Sequence, residues 1–416
     1  MLPRSPPRAI ALAVALLLLG TVAPVADALS FADAEREALA RSPAIIARGN
    51  AIDAAQAARI AAGRLPDPRL VVALDNLPVN GPDRGSLTAD FMTMRRIGVM
   101  QDFPNADKRQ AGRDAAEALV ARADLERQVE KLAIRRAVGL AWADRYYAEA
   151  RLALLDALTE ENRLLDVVVR SQIAGGKANL LDALGVDQER ARLDDQRDEL
   201  EHEVHAAEAR LGRYVGKRAG DPLDGAPPTD VDTADLVDRL ERSPDVLMFE
   251  PLRASAAAEV RAADAAQRPD WGVELSYAQR GAAYSNMISL QVTVDLPLFL
   301  STRQAPRLTA RRHDLAKVDA EREDRILQLR SEVEQTLAQR EELQSRITRM
   351  RQVVVPLTQR RVDVALDEYR ASRIELPQVV AARRERLETQ MKVLEIEQRL
   401  SQALIRLGTI IDRELP

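Results

Sequence analysis

MISLQVTVDL, Met287 to Leu296, alternates along its whole length. Ile288, Leu290, Val292, Val294 and Leu296 fall on one side, and Ser289, Gln291, Thr293 and Asp295 on the other. Period-two alternation reads as a β-strand with one apolar and one polar face. WGVELSYAQ, Trp271 to Gln279, does the same: Trp271, Val273, Leu275 and Tyr277 share a face, with Glu274 and Ser276 opposite. An apolar face with aromatic ends fits a strand that crosses a bilayer. Taken singly, the pattern fits a half-buried strand of a soluble sheet better. Two further segments, Leu70–Asn76 and Asp90–Gln101, bring the strands to about four. The linkers LPVNGPDRGSLTA (Leu77 to Ala89) and RGAAYSN (Arg280 to Asn286) are rich in turn formers and read as external loops. Four strands cannot enclose a pore, and open edges are not tolerated in lipid. If these strands span a membrane, several copies of the chain must share one barrel.

The remainder reads as long helices. Charged residues make up 30% of the chain and aromatics 3%, a composition that suits helical rods rather than an aromatic-rich core. From Asn105 to about Ile173 runs one helix of about 100 Å at 1.5 Å per residue. Leu155, Leu158, Leu165 and Val169 give it a coiled-coil seam, and Leu343, Ile347, Met350, Val354 and Leu357 give a matching helix the same seam. Pro356 is expected to kink that second helix. An opening helix over about Phe31–Gly63 and a returning helix over about Asn179–Tyr214 together match the length of the long one, so they are expected to stack end to end beside it.

The two halves of the chain repeat this plan. LARSP at Leu39 returns as LERSP at Leu240, Pro66-Asp67 as Pro269-Asp270, and Asp102-Phe103-Pro104 as Asp295-Leu296-Pro297. GGKANLL at Gly175 aligns with ASRIELP at Ala371, and Glu189-Arg190 with Glu385-Arg386. The same order of landmarks in both halves indicates a tandem duplication. The expected organisation is a first repeat over 29–217, a Gly-, Pro- and Asp-rich connector over 218–232 and a second repeat over 233–416.

Residues 1–28 read as a secretory leader: Arg4 and Arg8, then the apolar run Ala9 to Gly20, then the cleavage pattern Ala26-Asp27-Ala28. Without them the chain carries 58 basic and 64 acidic residues, a net −6, which offers no case for nucleic acid. There are no cysteines, hence no disulfide, thiolate metal site or lipid-accepting thiol. No later segment has the length and apolarity of a transmembrane helix.

A cleaved leader, a duplicated helix–strand–strand–long-helix plan and small-residue hairpin turns resemble the TolC-like outer-membrane factors, the outer membrane efflux protein family. LPDPRLVVALDNLP (Leu65 to Pro78) and GVMQDFPNADKRQAGRDAA (Gly98 to Ala116) resemble segments of its heavy-metal, CusC/CzcC-like branch. The resemblance implies a mainly α fold with a small transmembrane β part. Coiled-coil hairpins form an α-barrel, and four strands per chain contribute to a twelve-stranded barrel shared by a homotrimer. It implies a passive, non-enzymatic exit duct in the outer membrane of a Gram-negative cell. A periplasmic adaptor and a proton-driven inner-membrane RND-type pump would be its partners, with heavy-metal cations as the cargo; a drug duct of the same family is the alternative. The helical turns would form the periplasmic, adaptor-docking tip: Gly175, Gly176, Lys177 and Asp182 in the first, Ser372, Arg373 and Glu375 in the second. The family's second turn carries Y-x-x-G; here Tyr369 is followed by Ser372 in place of glycine. Where acidic residues narrow the mouth of some relatives, this chain has Pro377 and Val380, leaving Asp182 and Glu375 as the acidic candidates. Trp271 and Tyr277 would belong to the aromatic girdle of the barrel.

Met92, Met94 and Met100 raise a soft-metal reading, because thioethers suit Cu(I). All three have even numbers and so share a strand face, but Met100 lies about 20 Å from Met94 at 3.3 Å per residue. They read as barrel wall rather than a metal site. HEVH, His202 to His205, lacks the i,i+4 spacing of a zinc helix and reads as a solvated face. Asp144 and Glu149 read as helix-surface charge. No nucleophile motif, phosphate loop or cofactor fingerprint is present. A periplasmic adaptor or a coiled-coil scaffold also uses helical hairpins; an adaptor would have one hairpin flanked by β-domains, and neither needs aromatic-edged strands.

Overall fold

The computed structural model describes residues 28–176, 179–233, 235–237 and 239–410. The expected leader, except its last residue, and Lys177 lie outside the described residues.

Local chemistry sets the first break. The opening helix is not continuous: Ser42-Pro43 divides it into α1 (Phe31–Arg41) and α2 (Pro43–Ala61). The Ser42 side chain accepts from the Ile45 N–H, and Pro43 sits in the first turn, where no N–H is required. Ser243-Pro244 in the second half does the same. Ser243 caps α5 (Pro244–Leu247), which leads into α6 (Phe249–Ala265).

The long helix α3 (Ala106–Ala174) and the returning helix α4 (Leu180–Val215) have the expected lengths. Arg48 pairs with Glu126 at 2.8 Å, Arg151 with Glu203 at 2.8 Å and Arg170 with Asp187 at 3.1 Å. Helices α2 and α4 therefore run antiparallel to α3, one beside each end of it. They meet near its middle, where Arg41 Nη1 donates to the Val215 carbonyl at 3.3 Å. There Trp142 is fully buried, edge-on to Phe31 and donating Nε1–H to the Leu29 carbonyl at 3.1 Å. A short parallel pair joins this hub, β1 (Leu29–Ser30) with β4 (Leu223–Asp224), which the alternation pattern does not reveal. Ala219 and Val231, from the stretch read as a connector, are buried in the same core.

The second half of the chain contains α7 (Ala305–Arg349), α8 (Val355–Arg370) and α9 (Leu376–Gly408). Residues 300–304 and 350–354 form π-turns, in which Ala305 and Val355 donate to the carbonyls of Leu300 and Met350, five residues back. A proline follows each, Pro306 and Pro356. A proline ring clashes with the carbonyl four back and has no N–H to bond it; a wider turn accommodates both defects. The extra residue rotates the helix beyond it. Leu343 is buried, but Leu357, expected on the same seam, is 55% exposed. Thr358, Val362 and Ala365, one residue later in phase, are buried instead. In α3, Leu155, Leu158, Leu165 and Val169 are all buried as expected.

The remaining strands make one antiparallel sheet in the order β2 (Arg69–Asp75), β3 (Met94–Phe103), β5 (Trp271–Gln279), β6 (Met287–Val294). Strand β3 begins four residues later than expected from alternation.

Candidate functional site

Two regions lie at opposite ends of α3: the sheet and the hairpin turns. Pairing fixes the faces of the sheet. Val99 stands opposite Leu70 and Leu275, Ile97 opposite Val72 and Tyr277, and Leu290 opposite Leu275. These residues, with Leu74, Ile288, Val292 and Val294, form one continuous exposed apolar face. Trp271 and Tyr277 lie on it, 48% and 43% exposed, with Trp271 stacked on Phe103 at 4.3 Å. An apolar face this broad, flanked by polar sheet chemistry on the other side, suits hydrocarbon rather than water. The opposite face carries Arg96, bonded to Asp75 at 2.9 Å and Glu274 at 2.6 Å, and Arg69, bonded to Asp102 at 2.6 Å.

The methionines need correction. Met92 is not in the strand; it lies in the turn before it, where its carbonyl accepts from Asn76. Met94 and Met100 are in β3, but share the face of Arg96 and Asp102 rather than the apolar wall. Arg69 Nη2 approaches the Met100 sulfur at 3.7 Å. A guanidinium occupies the place a soft cation would need, and the three sulfurs do not converge. Among the described residues no group of three or more His, Asp or Glu side chains could hold a metal, and His205 is an exposed residue near Glu208 at 3.8 Å. Asp144 is not simple surface charge either, for it accepts from Gln398 and Gln402 at 2.8 Å each and so ties α3 to α9.

Where sheet meets helix, Asn105 caps α3 through Lys108 N–H and is itself held by Asp270. Burial alone would raise the Asp270 pKa; the bonds from Lys108 and Asn105 outweigh it and hold the carboxyl below its usual range.

At the other end each hairpin turn uses the same device. Gly176 has φ +70° and its N–H bonds the Ile173 carbonyl at 3.0 Å; Ser372 has φ +59° and bonds Tyr369 at 2.9 Å. Arg373 N–H adds a bond to the Glu368 carbonyl at 2.9 Å, completing a Schellman cap. Gly175 is the C-cap of α3. Asp182 belongs to a capping box with Asn179, so its carboxylate bonds a backbone N–H at 3.0 Å. Glu375 precedes α9 without a capping bond. The two turns are joined side by side: Tyr369 O–H donates to Gln172 Oε1 at 2.9 Å. Burial, then the nearby Asp182 charge, raises the Tyr369 pKa. Just above lie cross-repeat ion pairs that sequence spacing does not announce, Glu161–Arg386 at 2.7 Å and Glu189–Arg384. The Glu189-Arg190 and Glu385-Arg386 repeat pointed to these positions without showing their partners.

Residues 236–412 match the model of the family described as outer membrane efflux protein. That match falls in the second half of the chain. Members of that family are non-enzymatic outer-membrane channels that act with adaptor proteins and inner-membrane pumps. Among solved structures the fold is similar to CusC, at 16% identity over 92% of each chain and a TM-score of 0.77. It is also similar to VceC from Vibrio cholerae, at 18% identity over 93% of this chain and 97% of that one, TM-score 0.76. The open state of MtrE from Neisseria gonorrhoeae matches at 14% identity, over 92% of this chain and 89% of that one, TM-score 0.76. No curated protein matches the chain in sequence. Among the described residues no helix is long and apolar enough to cross a membrane.

Proposed function

We propose that three copies of this chain form one passive efflux duct. Its twelve-stranded barrel crosses the outer membrane, and its helical barrel reaches into the periplasm. The observation that carries this reading is the sheet: four strands, an exposed apolar face and two unpaired edges, β2 and β6. Backbone groups at such edges need partners in hydrocarbon, and each missing bond costs several kcal/mol. Each chain would comprise a leader (1–28), two repeats (29–217 and 233–416) and the segment 218–232 between them. Trp271 and Tyr277 would sit on the lipid side.

The turns at Gly175, Gly176, Lys177 and Asp182 and at Ser372, Arg373 and Glu375 would be the periplasmic tip that meets an adaptor. Heavy-metal cations are the proposed cargo, driven by an RND-type pump, on the strength of the Leu65–Pro78 and Gly98–Ala116 segments. Selection would then belong to the pump, since the methionines form no converging site. Detergent-corrected light scattering should give three chains per particle; a stable monomer in a membrane mimetic would overturn the duct. Cysteine at Gly176 or Ser372 should crosslink to an adaptor hairpin in cells, whereas labelling from outside intact cells would reverse the orientation. Cells expressing the chain with its pump should gain resistance to copper, silver, zinc, cobalt or cadmium; resistance to drugs alone would replace the cargo.

A further inference from the structure

We propose the register in which a second copy closes the sheet. Strand β6 pairs antiparallel with β2 of the partner subunit, placing Leu290, Val292 and Val294 opposite Leu74, Val72 and Leu70 of the partner subunit. The proposal rests on the shared-barrel reading and adds to it the residue-by-residue alignment.

The duplication supplies the alignment. Asp102 and Asp295 are equivalent, 193 residues apart, which maps β3 onto β6; Pro66-Asp67 and Pro269-Asp270 are 203 apart, which maps β2 onto β5. These spacings can be tested within the chain. The pair Leu70–Val99 in the first repeat maps to Val273–Val292 in the second, and Val273 is indeed opposite Val292. The mapping reproduces an observed register to the residue.

The same mapping applies to the junction between repeats. Inside the chain β3 pairs with β5, with Gly98 opposite Ser276 and Val99 opposite Leu275. Its counterpart is β6 against β2 of another copy: Gln291 opposite Ala73, and Val292 opposite Val72. Three independent features agree. Apolar residues meet apolar residues on the face that bears Tyr277, so the lipid side continues across the seam; a slip of one residue would break it. Asp295 forms no ion pair with a described residue, although its equivalent Asp102 is bound by Arg69; in the closed register Asp295 stands opposite Arg69 of the partner subunit. Finally, the helices follow the strand order. Helix α6 packs between α3 and α7, whereas α2 packs chiefly on α3. Ile52 is the sole buried residue recorded for α2, and Leu308 the sole one in the first half of α7. The open flanks of α2 and α7 thus continue the open edges of β2 and β6.

The chain has no cysteine, so paired cysteines report the register directly. Directly opposite Cβ atoms lie about 4.5–5.5 Å apart and diagonal ones farther, against the roughly 4 Å a disulfide requires. Gln291→Cys with Ala73→Cys, oxidised in outer membranes, should give covalent oligomers that end at the trimer. Thr293→Cys with Val71→Cys should do the same. Gln291→Cys with Val71→Cys or Asp75→Cys, on the same face but slipped by two, should crosslink at least about fivefold less. Particle mass by light scattering is measured on every variant, and only three-chain particles count as folded. Preference for a slipped pair, or no crosslink in a three-chain particle, overturns the register while leaving the trimer intact. A one-chain mass for the unmodified protein overturns both.

Discussion

The two long helical arms hold corresponding places in the two halves of the chain and are built differently. Helix α3 runs 69 residues without interruption and lies between elements of both repeats, contributing twenty buried residues. Helices α7 and α8 cover a similar span in two pieces joined by the π-turn at 350–354, and contribute seven. The first arm is the centre of the protomer; the second is its flank. A centre tolerates no change of phase, because neighbours on every side hold its side chains. A flank can absorb an inserted residue and a proline, provided the face beyond the insertion still meets α9.

The largest effect should follow from injury to the centre. Trp142→Ala removes a fully buried ring and its bond to Leu29, and should destabilise the helical domain by about 3–5 kcal/mol, read from denaturant unfolding of the helical circular dichroism. A loss below about 1 kcal/mol would mean that α3 is not the centre.

The flank can be broken by shifting its phase. Inserting one alanine after Gln352 in the π-turn should turn the following helix by about 100°, exposing Val362 and Ala365 in place of Leu357. The loss should be about 2–4 kcal/mol from apolar burial alone, with hydrogen-exchange protection falling over residues 358–370. Unchanged protection there would show that the insertion does not set the face.

A third difference lies in the chemistry between arms. Tyr147 of α3 is hydrogen-bonded to Ser401 of α9 at 3.0 Å, and burial, only partly offset by that bond, pushes its pKa up to about 12. The unfolded phenol titrates near 10, so its contribution is complete below about pH 10 and disappears as pH rises toward 12. An alkaline loss of about 2–3 kcal/mol follows from roughly 1.4 kcal/mol per pH unit. Tyr147→Phe should flatten that part of the stability profile between pH 10 and 12; an unaltered profile would assign the loss to other groups.

The smallest effect compares the two turns. Ser372 holds the left-handed conformation that Gly176 adopts at no steric cost. Ser372→Gly should stabilise its turn by about 1 kcal/mol, and Gly176→Ser should cost about as much, since no atom lies within 4 Å of a Cβ built at Gly176. Thermal melts of the reciprocal pair would show opposite shifts; shifts of the same sign would mean the turns are not equivalent.

Much of this was legible in the sequence because periodicity is local. The alternation of β5 and β6, the length of α3 and the order of the repeat all come from neighbouring residues. Ser42-Pro43 is visible as half of a repeated pentapeptide, and its capping chemistry, which splits the opening helix, is equally local. The π-turns escaped because a seam read at steps of three and four gives no sign of an added residue until the buried set changes phase. Parity places Met94 and Met100 on one face without saying which face meets lipid; that depends on the strand next door. The ion pairs Glu161–Arg386 and Glu189–Arg384 join residues about two hundred positions apart, beyond any local pattern.

The π-turn at 350–354 also has a mechanical meaning. A strut of unbroken i→i−4 bonds stands beside a strut with a joint about one turn long, and Tyr369 and Gln172 fasten their far ends together. When the tip is pushed sideways, a continuous helix resists as a spring along its whole length, whereas the jointed one yields at a single level. Compliance is thus placed at a fixed height on one arm, and the direction in which each hairpin bends is set by the side of the protomer on which that joint lies.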